Sequence, residues 1–280
     1  MPIGDGIRRN IALISTAERM RFRDAIVELN SRYYSDNVSK WVKQDRIHQA
    51  THVHGGPAFI PWHRELCNRF EQLLREADGE LSLHYWDWTE DPRRAGDGAA
   101  GTIDLFTTEF MGVPAGPVGA PFTGFPAFTR NVADGKDAPV PPSTDTDLAI
   151  IRSTDGVSKT EQWKIFREKL ERAPNHNSIH RYIGGSIGDA HTAFEDPFVF
   201  LLHSNVDRLW AMWQSVPGEE WRLDPDQVYG NEGSHPRIVE NLEPWAGGRG
   251  LRPWAPPEDQ QVEKTSKDPT VVAPPMYDTL

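Results

Sequence analysis

A single cysteine, Cys67, occurs in 280 residues, so no internal disulfide can form. That usage fits a reducing compartment. No apolar run reaches the length of a membrane span. The opening residues Met1 to Gly6 lack a hydrophobic signal core. The expected location is therefore the cytoplasm, or outside the cell if exported with a partner. Basic charge is in deficit: the net charge is −11 and the isoelectric point about 5.4. This sets aside nucleic acids and anionic membranes as partners. Carboxylate-bearing metal motifs are also scarce. The one Glu-x-x-His spacing, Glu232 to His235, sits in a loop flanked by glycine and proline, and no His-Glu-x-x-His occurs. A di-iron carboxylate bundle and a zinc hydrolase both lose their usual signatures.

Helical patterning dominates what is present. Ser15-Thr-Ala-Glu18 reads as a capping box opening a helix through about Ser31, with Phe22, Ala25, Ile26 and Leu29 as its apolar stripe. A second helix is expected from near Ser35 or Asp36. A third is expected from near Pro61, with His63, Leu66, Phe70, Leu73, Leu74 and Ala77 on one face and Asp78-Gly79 ending it. Between 91 and 147 proline and glycine recur and no helical period persists, the mark of a long irregular excursion. Helical pattern returns from Thr160 to Arg172 and again after Pro197, stopping at Pro217-Gly218. The ten tryptophans belong by default to a packed core. The expectation is one domain over 1–280, with a core of about 7–245 and a proline-rich tail, 246–280, packed on it.

Histidine carries the chemical signal. The first half holds His48-Gln-Ala-Thr-His52-Val-His54 and then His63; the second holds His176-Asn-Ser-Ile-His180 and then His203. A lone histidine on an apolar face is usually a hydrogen-bonded core residue. His176 and His180, four positions apart, put both rings on one helix face. Two unpaired buried imidazoles side by side are costly to desolvate, and a shared cation removes that cost. Three imidazoles from each half, without carboxylates, suit copper, zinc or iron, and favour copper where a position stays open for dioxygen.

The motifs Pro61-Trp-His63-Arg64, Tyr85-Trp-Asp-Trp88, His176-Asn177-x-x-His180 and Asp196-Pro-Phe-x-Phe200-x-x-His203-x-Asn-Val-Asp207-Arg-Leu-Trp210 together resemble the type 3 copper family of tyrosinases and catechol oxidases. The resemblance covers roughly residues 7–245. It implies a mainly α fold, a four-helix bundle around a dinuclear copper site with long irregular loops, and dioxygen as co-substrate. The implied ligands are His54, His63 and His48 for the first copper, with His52 as the alternative to His48, and His176, His180 and His203 for the second. It further implies that Asn177 and a glutamate, Glu171 rather than Glu168, hold a water that takes the phenol proton. Arg181 is expected at the substrate mouth, Phe59 and Phe200 against ligand rings, and Asp207 as a partner for a ligand ring or for an arginine such as Arg8. His84 and His191 are read as ordinary polar residues. The implied activity is oxidation of o-diphenols to o-quinones, with ortho-hydroxylation of monophenols, acting on a small phenol. An o-aminophenol oxidase, a diphenol-only catechol oxidase and a hemocyanin-like oxygen carrier are the alternatives, the last with Tyr277 as a plug at the site mouth. Bacterial relatives often need a helper protein to load copper, and such a partner is allowed for here.

Overall fold

The computed structural model describes residues 4–51, 53–132, 140–245 and 263–280. Its helices are α1 (Thr16–Ser31), α2 (Lys40–Thr51), α3 (Phe59–Ala77), α4 (Asp147–Ile151), α5 (Lys159–Glu171), α6 (His176–Ile183), α7 (Phe198–Gln214), α8 (Pro236–Val239) and α9 (Pro269–Val272). The fold is mainly α, and the helices that carry the histidines, α2, α3, α6 and α7, form the bundle expected from the motifs. No helix among the described residues is long and apolar enough to cross a membrane.

The bundle is built on α3 and α7, which pack against each other. Every residue of α7 except Met212 is buried, so this helix is enclosed on all sides and runs through the centre. Phe70 of α3 stacks on Phe200 of α7 with centroids 3.6 Å apart and planes 11° apart, and Trp41 of α2 closes edge-on over both. Ser15 caps α1 as its sequence announces, its hydroxyl accepting from the Glu18 amide at 3.2 Å. The reciprocal half of the box is not made: the Glu18 carboxylate turns instead toward His84.

α2 starts at Lys40 rather than near Ser35, because the preceding residues are held as a turn. Asn37 adopts φ +60°, Asp36 accepts from the Val38 amide at 3.1 Å, and Ser39 caps the helix through Val42 at 3.1 Å. α3 begins at Phe59, two residues before Pro61, which still falls within the first turn.

The irregular excursion contains two short antiparallel pairs, β1 (Ala95–Gly96) with β2 (Thr102–Ile103), and β3 (Ala115–Pro117) with β4 (Thr129–Asn131). The second pair has a structural task. Buried Arg130 of β4 makes a bidentate ion pair with Asp196, both bonds 2.6 Å, and Asp196 also caps α7 through the Phe198 amide at 3.0 Å. Gly184 and Gly185 leave α6 with positive φ, and a Cβ on Gly185 would lie 2.1 Å from the Thr129 carbonyl. Only glycine lets the chain after α6 press onto β4 there. The hairpin thereby fixes the end of α6 and the start of α7, the two helices of the second histidine trio.

Both ends of the chain meet beneath the bundle. Buried Arg8 donates to Asp207 at 2.9 Å and to Glu71 at 3.1 Å. Arg64, next to His63, also pairs with Asp207 and donates to the Val272 carbonyl at 2.9 Å. The Tyr277 hydroxyl lies 2.7 Å from Asp207 and accepts from Arg8. Residues 246–262 of the expected tail lie outside the described residues. The segment from 263 onward is more than a surface drape: Val271 and Val272 are wholly buried and Tyr277 nearly so.

Candidate metal centre

Five of the histidines stand on helices and one on a loop. His48 sits on α2, His63 on α3, His176 and His180 on α6, His203 on α7, and His54 on the connection between α2 and α3. They gather into two groups, His48 with His54 and His63, and His176 with His180 and His203; within each group one ring nitrogen per residue lies within 4.8 Å of the others. No carboxylate joins either group among the described residues. His52, the alternative to His48, lies outside the described residues. The two groups adjoin: His63 and His203 stack with centroids 4.7 Å apart, and His54 faces His176 at 6.5 Å.

Backbone and side-chain acceptors fix the ring tautomers. His63 Nδ1 lies 2.7 Å from the Phe59 carbonyl, His203 Nδ1 3.0 Å from the Val199 carbonyl, and His180 Nδ1 2.7 Å from the Ile187 carbonyl. A carbonyl only accepts, so each Nδ1 carries the proton and each Nε2 presents a lone pair. Asn177 Oδ1 does the same for His176 at 2.9 Å. Burial, and then the neighbouring imidazoles, hold His63, His176 and His203 far below the ordinary histidine range; burial pushes His180 down to about 4. All four are neutral at pH 7.

This arrangement calls for a cation. His176 Nε2 lies 3.0 Å from His180 Nε2 and 3.2 Å from His203 Nε2. With the protons on Nδ1, these close approaches set lone pair against lone pair. Buried His63 Nε2 has no hydrogen-bond partner among the described residues. An orphaned buried acceptor costs about 1–3 kcal/mol, and a metal ion at the focus of each trio satisfies every such nitrogen at once. The donor set fits two copper ions, each held by three imidazoles.

Phe59 supports the rings as expected, 4.6 Å from His63 and 4.8 Å from His176. Phe200 does not: it lies one layer out, against Phe70, Trp41 and Phe194. Phe194, which the sequence reading passed over, takes that place, 4.2 Å from the His48 ring and 5.1 Å from His203. It comes from a 3-10 turn (Ala193–Glu195) with no helical period to single it out. His84 is away from the centre; its Nδ1 accepts from the Arg9 amide at 3.3 Å, and burial lowers it to about 4. Cys67 is fully buried, and burial raises its thiol, as for a packed core thiol. Tyr277 is no plug, being enclosed with Arg8 and Asp207.

A cavity of about 260 Å³ opens from the imidazoles to solvent, lined by His48, His54, His176 and His180, with Asn177, Arg181, Gly188 and Ala190. Exposed Arg181 donates to Ser178 at 3.2 Å. His191 is exposed beside Ala190 and is not part of the lining. Glu171 is not among the residues that line the cavity. Its Oε1 accepts from the Gly55 amide at 2.6 Å, it is 4% exposed, and burial raises its carboxyl, partly offset by that bond. Larger space, about 290 Å³, lies between Trp62, Arg237 and Glu240 but contains no imidazole.

Two facing trios of imidazoles within a helical bundle define a dinuclear metal protein of the type 3 copper class. A family model for the common central domain of tyrosinase matches residues 31–216. A tyrosinase-like protein of Caenorhabditis elegans is 32% identical over 228 residues, which are 76% of this chain and 32% of that protein. The tyrosinase of Streptomyces antibioticus is 27% identical over 267 residues, 85% of this chain and 92% of that one. Deoxygenated hemocyanin from Rapana thomasiana shares the fold with a TM-score of 0.64 at 22% identity, covering 97% of this chain and 69% of that chain. The chain spans about a third of the nematode protein and nearly all of the bacterial one. It belongs to the tyrosinase family.

Proposed function

We propose that the protein oxidises o-diphenols to o-quinones with dioxygen and also hydroxylates monophenols at the ortho position. The observation that carries this reading is the solvent-open cavity ending on both imidazole trios. Bound there, the copper pair supplies dioxygen binding and a two-electron redox couple.

The residues of the chain supply access and proton handling. Gly188 and Ala190 leave one wall of the cavity without bulk, room for a planar ring. Arg181 stands at the mouth, where it meets the ring substituent facing solvent. A phenol is a poor metal ligand until it loses its proton, so a positioned acceptor lowers that barrier. Asn177 commits Oδ1 to His176, which leaves its amide protons for a water in the cavity. Glu171 does not line the cavity and acts through that water. Oε1 is engaged by Gly55, and no described residue hydrogen-bonds Oε2, the oxygen that receives the proton. The substrate is a small phenol, and a helper protein that delivers copper is a partner consistent with a buried centre.

The test is turnover by copper-loaded protein on a catechol, on tyrosine and on an o-aminophenol, followed by oxygen uptake. Quinone from the catechol, together with hydroxylation of tyrosine, supports the whole reading. Catechol alone reduces it to a diphenol oxidase. Aminophenol alone replaces the substrate, and reversible oxygen binding without turnover makes the protein a carrier.

A further inference from the structure

Of the six imidazoles, only that of His54 stands outside a helix. The other five ride on α2, α3, α6 and α7, whose backbones are fixed by their own hydrogen bonds and by packing. His54 follows the end of α2 on an irregular connection, and it is only partly buried. The chain turns immediately after it. Gly55 takes φ +69°, and the Gly56 carbonyl accepts from the Phe59 amide at 3.1 Å as α3 begins. A loop-borne ligand needs its backbone held from outside if its nitrogen is to stay at the focus.

The hold comes from a distant part of the chain. Glu171, the last residue of α5 and itself buried, receives the N–H of exposed Gly55 at 2.6 Å across a separation of 116 residues. A carboxylate accepting from a backbone amide is a strong, short hydrogen bond. α5 itself is fixed independently: Trp163, Phe166 and Leu170 are wholly buried, Phe166 stacks on Trp213 at 4.7 Å, and Arg167 makes a bidentate pair with Glu232 at 2.6 and 2.7 Å.

We infer that Glu171 is a positioning residue for the first metal site: through the Gly55 amide it fixes the loop that presents His54, so the second half of the chain completes the ligand set of the first. This rests on reading the two imidazole trios as metal sites. It adds to the proton-accepting role proposed for Oε2, since the two roles use different oxygens of one carboxylate.

The experiment loads full-length apo-protein with copper(II) and measures metal per chain and affinity by chelator competition, for the wild type, Glu171→Gln, Glu171→Ala and Glu171→Met. Glutamine keeps a carbonyl oxygen for the Gly55 amide but cannot act as a base. Alanine and methionine remove the acceptor, and methionine fills the same volume. The expected result is two coppers in the wild type and in Glu171→Gln. In Glu171→Ala and Glu171→Met one copper should bind at least about tenfold more weakly, the size of loss expected when a group supporting a ligand is removed. Methionine keeps the test available if alanine does not fold. Amide exchange at Gly55, slow in the wild type and in Glu171→Gln and fast in the other two, gives a readout free of metal. Two coppers held by Glu171→Met with wild-type affinity would overturn the inference. Metal loss in that variant, with no oxidation of any phenol by the wild type, would sustain it while contradicting the proposed reaction.

Discussion

Asp207 receives the buried guanidinium of Arg8 at 2.9 Å, joining a residue near the start of the chain to the helix that carries His203. The same carboxylate pairs with Arg64, beside His63, and lies 2.7 Å from the Tyr277 hydroxyl. One buried anion therefore ties α3, α7 and both chain ends together, four residues from one ligand and one contact from another. Removing one partner of such a set leaves buried charge uncompensated, which costs about 3–5 kcal/mol. Asp207→Ala should lose stability of that order in urea or guanidinium unfolding. A loss below about 1 kcal/mol, typical of an exposed ion pair, would show that the cluster is not the clamp described.

Asp45 on α2 predicts a pH dependence. Burial, and then the charge of Glu195, raise its carboxyl from 3.8 to about 7, and Oδ1 is buried without a hydrogen-bond partner among the described residues. Because the folded value lies above the unfolded one, the protonated acid favours the fold. This contribution is complete below about pH 4 and is lost as pH rises to about 7. Asp45→Asn, which can still accept from Gln49, should match the wild type near pH 4 and be the more stable protein at pH 8, by at most about 4 kcal/mol. Unfolding curves across that range check it. Equal stabilities at pH 8 would count against the burial described.

Glu171→Gln separates the two activities. It keeps the Gly55 bond and removes the base, so the ratio of monophenol hydroxylation to diphenol oxidation should fall by about 100-fold, the lower end of a general-base contribution. An unchanged ratio assigns the proton to another acceptor.

Arg181 should select for charge. In Arg181→Leu the KM for a carboxylate-bearing phenol should rise about fivefold relative to an uncharged catechol, since an exposed charge pair is worth about 1 kcal/mol. High salt should erase the difference in the wild type.

The elements legible in the sequence are those governed by neighbours along the chain. Ser15 and Glu18 announce α1, and the stripe through His63, Leu66 and Phe70 turns that imidazole inward with the core. The spacing of His176 and His180 places both rings on one face before any tertiary contact is known. What stays hidden depends on local turns or on contacts between distant segments. Asn37 and Asp36 delay α2 through a turn that no apolar period reveals. Phe194 reaches His48 and His203 from a short turn, while Phe200, on a clear helical stripe, packs away from them. From the sequence Tyr277 offers only a plug for the site mouth, whereas in the fold it completes the Asp207 cluster. The family motifs mark Glu171 for proton transfer, whereas its bond to Gly55 appears only once α5 is folded against the first half.

Elemental analysis of copper-reconstituted protein tests the central claim most directly, set beside the same measurement on His180→Ala and His63→Ala. Two coppers per chain in the wild type, with one or none tightly held in each variant and turnover lost, is the expected result. Turnover by material without stoichiometric copper, or two tightly held coppers in either variant, would contradict the account.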